Sequence, residues 1–161
     1  MPSDSATIRA AAPADAPAIA AMIRELAEYE GITDPLAFSL EQLRGALDGD
    51  PPRLRAVIAE DADGAAGFVS YTIDFAIWSG GDVLRVDDVF VRARARGRGV
   101  GRRMMCEIAR LALAGGMTAR WEIQPENRPA QEFYRGLGVA IRDKIIARWS
   151  PDAMRRFAAA D

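Results

Sequence analysis

The chain has 161 residues, half of them hydrophobic, with 21 basic and 23 acidic side chains and a formal net charge of -2. That length suits one domain with a real core, and the near-balanced charge argues against a dedicated nucleic-acid binder. No apolar run approaches the roughly 18 residues of a membrane span, Met1-Pro2-Ser3-Asp4-Ser5 lacks the features of a secretion signal, and the lone Cys106 forbids an intramolecular disulfide, so the cytosol is the expected compartment.

Thr7-Ile8-Arg9-Ala10 reads as a short strand. Asp15 is a candidate N-cap with Pro17 in the first turn, and Ile19, Met22, Ile23 and Leu26 recur at helical spacing to about Glu30, where Gly31 can end the helix. Ser39 and Gln42 have capping-box spacing ahead of a second helix carrying Leu40, Leu43 and Leu47, which Gly49-Asp50-Pro51-Pro52 breaks. Arg55–Glu60 and Gly67–Ile73, joined through Asp61-Ala62-Asp63-Gly64, form a hairpin pattern. A second turn, Trp78-Ser79-Gly80-Gly81-Asp82, leads into a strand from Val83 to Val91.

The most informative segment follows. Between Arg92 and Arg103 lie six arginines, no acid, and three glycines at alternate positions, Gly97, Gly99 and Gly101. Val100, Met104, Ile108 and Leu111 then mark one face of a helix that Gly115-Gly116 ends. A strand, a glycine turn and a helix N-terminus together make an anion site. Glycine permits close backbone approach, and the first turn of the helix presents unpaired N–H groups. The loop lacks the Gly-Lys-Ser/Thr of a P-loop and the spacing of a dinucleotide fingerprint. Taken alone, it also admits a plainer reading as a tight turn with solvated arginines, although glycines between a strand and a helix favour phosphate.

Thr118 to Gln124 reads as a strand, and Asn127 caps a helix with Pro129 in its first turn, running to about Gly136. Gly138–Ile141 and Ile145–Trp149 are expected to complete the strands, and Ser150-Pro151-Asp152 caps a terminal helix. Hairpins first and strand–helix–strand later imply one mixed α/β sheet with helices on both faces.

The chain has no histidine, which removes the usual general base and the commonest metal ligand. Ser-His-Asp and Cys-His mechanisms are excluded within it, and zinc is disfavoured with one cysteine. Acid–base chemistry falls to carboxylates, tyrosine, Lys144 or water. Cys106, inside the helix and without a base, reads as inert packing.

Arg96-Gly97-Arg98-Gly99-Val100-Gly101 resembles the Arg/Gln-x-x-Gly-x-Gly signature of the GNAT superfamily of N-acetyltransferases. Asn127-Arg128-Pro129-Ala130 and Phe133-Tyr134-x-x-Leu137-Gly138 resemble that family's Asn-x-x-Ala and Phe-Tyr blocks. Ile8–Ala11 with Asp15, Ile23–Glu30, and Val86–Val91 resemble its spermidine/spermine branch. The resemblance spans nearly the whole chain and implies one N-acetyltransferase domain, 1–161, with an acyl-CoA N-acyltransferase fold and a mostly antiparallel central sheet. It implies acetyl-CoA as co-substrate, no metal, a small-molecule amine acceptor such as a polyamine or amino-acid side chain, and a homodimer.

The resemblance also implies roles. Arg96, Gly97, Arg98, Gly99, Val100, Gly101 and Arg102 would cradle the pyrophosphate, and Asn127 and Ala130 would contact CoA. Val89, Phe90 and Val91 would lend backbone groups to pantetheine at a bulge. Tyr134 would protonate the departing thiolate after direct attack in a ternary complex. Asp87 would attract the amine or take its proton, with Tyr29, Glu30 and Glu122 as further acceptor contacts. Plainer readings stand beside these: Tyr134 as a core aromatic, Asn127 as a helix cap, and Asp87-Asp88 as a charged strand end whose carboxylates point to opposite faces. Lys144 lies in the stretch where the polyamine branch carries an acid beside Trp, and if it faces the acceptor it would repel a polycation. The alternatives in other classes are a non-catalytic acyl-CoA-binding or regulatory module and an RNA-binding domain using the arginine cluster.

Overall fold

The computed structural model describes residues 6–159, so the leader reading at Met1–Ser5 lies outside the described residues. These residues fall into two compact units divided between Glu122 and Ile123.

The first unit is a five-stranded sheet in chain order, β1 (Thr7–Ala10), β2 (Arg55–Asp61), β3 (Gly64–Ala76), β4 (Gly81–Val91) and β5 (Thr118–Arg120). The first three pairings are antiparallel and β4–β5 is parallel, so the sheet is mixed and mostly antiparallel. Both hairpins form at the turns read from the sequence. Gly64 and Gly80 supply left-handed φ values of 94° and 65°.

Side-chain alternation along the strands divides two cores. Ala56 and Ile58 of β2, Phe68 of β3 and Phe90 of β4 pack with Ala16, Ile19, Ala20 and Met22 of α1 (Ala16–Tyr29) and Leu43 and Leu47 of α2 (Leu40–Leu47). The glycine of β3, Gly67, faces the other way. A Cβ there would lie 3.1 Å from the Met104 methyl of α3 (Val100–Ala114) and 2.6 Å from the Phe90 carbonyl oxygen, so only glycine lets α3 settle onto that face. The buried stripe of α3 is Val100, Met104, Met105, Ile108 and Ala112. Truncating a wholly buried residue such as Ile108 or Phe68 to alanine would cost about 2–5 kcal/mol.

The helix ends follow their sequence signals. Ser39 Oγ accepts from the Gln42 N–H at 3.1 Å while Gln42 Oε1 accepts from the Ser39 N–H at 2.8 Å, a closed capping box. At the end of α1, Gly31 (φ 68°) and Ile32 donate back to Glu28 and Ala27, a Schellman close. Asp15 precedes α1 but does not cap it through its side chain. Its carboxylate is held by the Arg9 guanidinium at 2.7 and 2.8 Å, and Arg9 also reaches Glu60 at 2.8 Å. The Arg9 hydrogen bonds hold the Asp15 carboxyl below its ordinary range.

The second unit holds α4 (Arg128–Arg135), capped by Asn127 Oδ1 accepting from the Ala130 N–H at 3.2 Å, and α5 (Pro151–Ala158), capped by Ser150 Oγ accepting from Ala153 N–H. The expected strands at 138–141 and 145–149 are absent from the described fold. Their β-branched and aromatic residues, Val139, Ile141, Ile145, Ile146 and Trp149, record a preference for extended chain, but a strand also needs a partner ladder. None forms there, and Ile145, Ile146 and Trp149 are left exposed. Cys106 also departs from expectation: it sits on the solvent side of α3, exposed, and packs into no core. No helix among the described residues is long and apolar enough to cross a membrane.

Candidate functional site

The register of β3 against β4 slips by one residue. Ser70 faces Asp88 and Tyr71 faces Val86, so Asp87 is the extra residue of a β-bulge. The bulge therefore lies at Asp87, upstream of its expected position at Val89–Val91. It also corrects the expectation that Asp87 and Asp88 point apart. Ser70 Oγ donates to Asp88 Oδ2 at 3.1 Å and accepts from the Asp88 N–H at 3.1 Å. Asp74, four residues along β3 on the face of Ser70, lies 3.5 Å from Arg85, which lies 3.6 Å from Asp87. The bulge thus brings both carboxylates to one face. Asp88 is tied down by Ser70, while Asp87 is the more available of the two. Burial pushes the Asp87 carboxyl above its ordinary range, with Asp88 and Asp74 adding to the rise and Arg85 opposing it.

β5 pairs with β4 only from Val83 to Arg85. From Val86 to Val91 the same edge of β4 has no strand partner among the described residues. Asp87 therefore opens an edge without a strand partner that runs past Val89, Phe90 and Val91 toward the glycine loop, with the Val91 carbonyl accepting from Arg96 Nε at 2.9 Å. Phe90's side chain is core, 6.5 Å from the Phe68 ring.

At the loop, Gly97 and Gly99 both have φ 74°, a left-handed conformation that a side chain resists. Gly99 is the N-cap of α3, so the N–H groups of Val100, Gly101 and Arg102 open the helix without intrahelical acceptors. A Cβ at Gly97 or Gly99 would meet no atom within 4 Å, so the space above the loop is open. N–H groups without intrahelical acceptors, the positive helix end and open space beside Gly97 and Gly99 fit a pyrophosphate.

The arginines divide differently from the sequence reading. Arg92 grips Glu25 of α1 at 2.7 Å and the Ala65 carbonyl at 2.8 Å. Arg94 is held by Asp61 and by the Ala65 carbonyl, and Arg103 donates to the Ala6 carbonyl. Arg96 donates through Nε to the Val91 carbonyl at 2.9 Å and lies 4.6 Å over the Tyr29 ring and 5.8 Å from Phe90. The predicted cofactor residue Arg96 and the predicted acceptor residue Tyr29 are thus in contact. Glu30, beside Tyr29, and Glu122, beyond the end of β5, are exposed.

In the second unit, Asn127 caps α4, which carries Ala130 and Tyr134. Tyr134 is buried on that helix, edge-on to Phe133 at 5.1 Å, and burial pushes its phenol up to about 12. The phenol therefore stays protonated through the physiological range. The sequence reading passed over Asp74, Thr72 and Arg85. The turn at Trp78–Gly81 would have revealed them, since it sets Thr72 opposite Arg85.

Comparison with known proteins gives the family and the fold. The model of the acetyltransferase (GNAT) family matches residues 19–139. The thialysine N-epsilon-acetyltransferase of Sus scrofa is 31% identical over 169 residues, covering 96% of this chain and 98% of that protein. An aminoglycoside acetyltransferase from an uncultured soil metagenomic sample, in complex with trehalose, superposes with a TM-score of 0.78 at 14% identity over 92% of this chain and 97% of its own. The structure of AAC(6')-Iy in complex with a bisubstrate analogue, CoA-S-monomethyl-acetylneamine, gives a TM-score of 0.73 at 21% identity over 90% and 97%. The mixed sheet of the first unit is the fold of these neighbours. The chain belongs to the GNAT family and is an acetyl-CoA-dependent N-acetyltransferase.

Proposed function

We propose that this enzyme moves the acetyl group of acetyl-CoA to a primary amine of a small molecule by direct attack in a ternary complex. The observation that carries the reading is the free edge of β4, which starts at the Asp87 bulge and leads into the left-handed glycine loop at the head of α3. Acetyl-CoA supplies an acetyl group already activated as a thioester. The N–H groups of Gly97–Arg102 hold its pyrophosphate, and the backbone of Val89–Val91 holds pantetheine and offers a donor to the carbonyl oxygen.

The acceptor amine must lose a proton before it attacks, since an alkylammonium titrates near 10.4. Asp87, with its raised pKa and partial exposure, attracts the ammonium and receives that proton directly or through water. Tyr134 keeps a proton for the departing sulfur. Its motif position and its protonated state support this role. A phenol at about 12 is a weak acid toward a thiolate near 8.5, so its proton moves together with C–S cleavage, not before it. Tyr29, Glu30 and Glu122 complete the acceptor contacts, and Asn127 and Ala130 those to CoA.

Residues 1–161 act as one N-acetyltransferase domain in this reading, which the family match across both units supports. A homodimer is part of it, with the exposed Ile145, Ile146 and Trp149 offering apolar surface to a second copy. The name of the Sus scrofa relative, which sets its acetyl group on the Nε of thialysine, supports an amino-acid side chain as acceptor over a polyamine. An amine panel with acetyl-CoA, read by free-thiol release and by mass of the acetylated product, tests the reading. Thiol release without any acetylated amine across the panel overturns it.

A further inference from the structure

We propose that Arg85 reads the carboxylate of the acceptor, so that with Asp74 and Asp87 it selects a basic amino acid over a plain diamine. The inference rests on the acceptor site proposed above and names a specificity residue within it.

Three charges of alternating sign lie in a row on the face of Ser70: Asp74, Arg85 and Asp87, with Arg85 at 3.5 Å from the first and 3.6 Å from the last. Both separations exceed hydrogen-bonding length, unlike the 2.7–2.8 Å pairs that Arg9 and Arg92 make. All three side chains are one-third to one-half exposed, so a ligand can reach them. Arg85 is thus a cation held loosely between two anions, with donors to spare. Its planar fork matches a carboxylate in a way a lysine does not.

A basic amino acid bears the complementary sequence of charges: a side-chain ammonium, a carboxylate and an α-ammonium. The carboxylate would meet Arg85, and the two ammonium groups would meet Asp87 and Asp74. Asp87 is the member of the row at the bulge where β5 leaves β4, so the side-chain amine is the one delivered to the reacting end. Thr72 faces Arg85 across the ladder, and its hydroxyl is buried without a hydrogen-bond partner among the described residues. It can donate to the same carboxylate once one arrives. A diamine has no group for Arg85 and must bring its second cation against it. Like-charge juxtaposition discriminates against that acceptor.

The test compares lysine, its decarboxylated counterpart cadaverine, and Nα-acetyl-lysine as acceptors for the wild type, Arg85→Gln, Arg85→Lys and Asp74→Asn, with fold checked by circular dichroism and thermal melting. In Arg85→Gln the KM for lysine rises on the order of 10–100-fold, the loss of one charge-assisted pair, with kcat changed far less. Cadaverine becomes a better acceptor in the same variant, because the opposing cation is gone. Arg85→Lys restores part of the lysine KM. Asp74→Asn raises the KM for lysine but not for Nα-acetyl-lysine, which lacks the α-ammonium. Parallel changes for lysine and cadaverine, or no change for either, overturn the inference and leave the acetyltransferase reading standing. So does a wild type that prefers cadaverine. Failure of the wild type to acetylate any amine overturns both.

Discussion

Replacing Gly99 by alanine separates the role of the loop in folding from its role in binding. At φ 74° an added Cβ carries a conformational cost of about 1–2 kcal/mol, offset by up to about 1 kcal/mol from a stiffer unfolded chain. No atom lies within 4 Å of that Cβ, so sterics add nothing. The net loss, at most about 2 kcal/mol, lowers Tm by up to roughly 8 °C for a chain of this size. Gly116 provides the control: it ends α3 at φ 64°, also with nothing within 4 Å. Gly116→Ala should lose the same stability by the same mechanism. The two variants differ in what the backbone serves. Relieving strain at Gly99 turns the N–H groups at the head of α3 away from the pyrophosphate. Each charge-assisted bond lost costs about 1.5–3 kcal/mol, which raises Kd about 10–150-fold. Calorimetric titration with CoA, alongside thermal unfolding, measures both quantities. Equal losses of stability with native CoA affinity in Gly99→Ala would refute the cradle, since the loop would then be a tight turn and nothing more.

Other outcomes follow from the same geometry. Tyr134→Phe should lower kcat by about 10²–10⁴-fold, the usual range for a lost general acid, while CoA affinity in calorimetry stays near wild type; unchanged turnover on the preferred amine dismisses the acid role. Asp87 has a raised pKa, so it is protonated and inactive at low pH and ionised above. The acid limb of kcat/KM should lie above the ordinary carboxylate value of 3.8, and Asp87→Asn should abolish that limb along with most of the rate. Retention of the limb in the variant would assign it to another group. Asp15 is the opposite case for stability. Its carboxyl is depressed by Arg9, so its contribution is present above 3.8 and is lost as pH falls through the lower folded value. Asp15→Asn should cost about 1–2 kcal/mol at pH 7, discounted for the exposure of Arg9, and nothing once pH is low enough to protonate the wild-type carboxylate. Urea unfolding at the two pH values decides it.

Local signals were legible wherever a residue's partner sits within a few positions of it. Ser39 finds Gln42, Asn127 finds Ala130, and Gly31 closes α1, because each exchange is set by helix geometry alone. Signals that depend on distant partners were not. The Asp87 bulge is invisible in sequence because two adjacent acids give the alternation no phase to break, and only the register against β3 reveals the extra residue. Asp15 has the position of a cap, but Arg9, six residues away, competes for its carboxylate and wins with two hydrogen bonds. The segment 145–149 has the composition of a strand, yet Ile145, Ile146 and Trp149 specify only that apolar side chains want cover, and among the described residues they stay exposed, with Trp149 meeting the Phe157 ring edge-on at 5.4 Å.

The arginine cluster shows how composition misleads about electrostatics. Six cations without an acid look like a phosphate sink in sequence, yet Arg92, Arg94, Arg96 and Arg103 each spend donors on the protein itself. Arg92 and Arg94 converge on one carbonyl, that of Ala65, and through Glu25 and Asp61 they pin the start of the loop to α1 and to the β2–β3 hairpin. Arg96 braces the end of β4 by bonding Val91 and covering Tyr29 and Phe90. What these cations contribute is the fixed position of a backbone whose N–H groups face open space. In the proposed cradle, binding energy for the pyrophosphate would come mainly from amides immobilised during folding. That is the form of recognition in which little ordering cost remains when the ligand arrives.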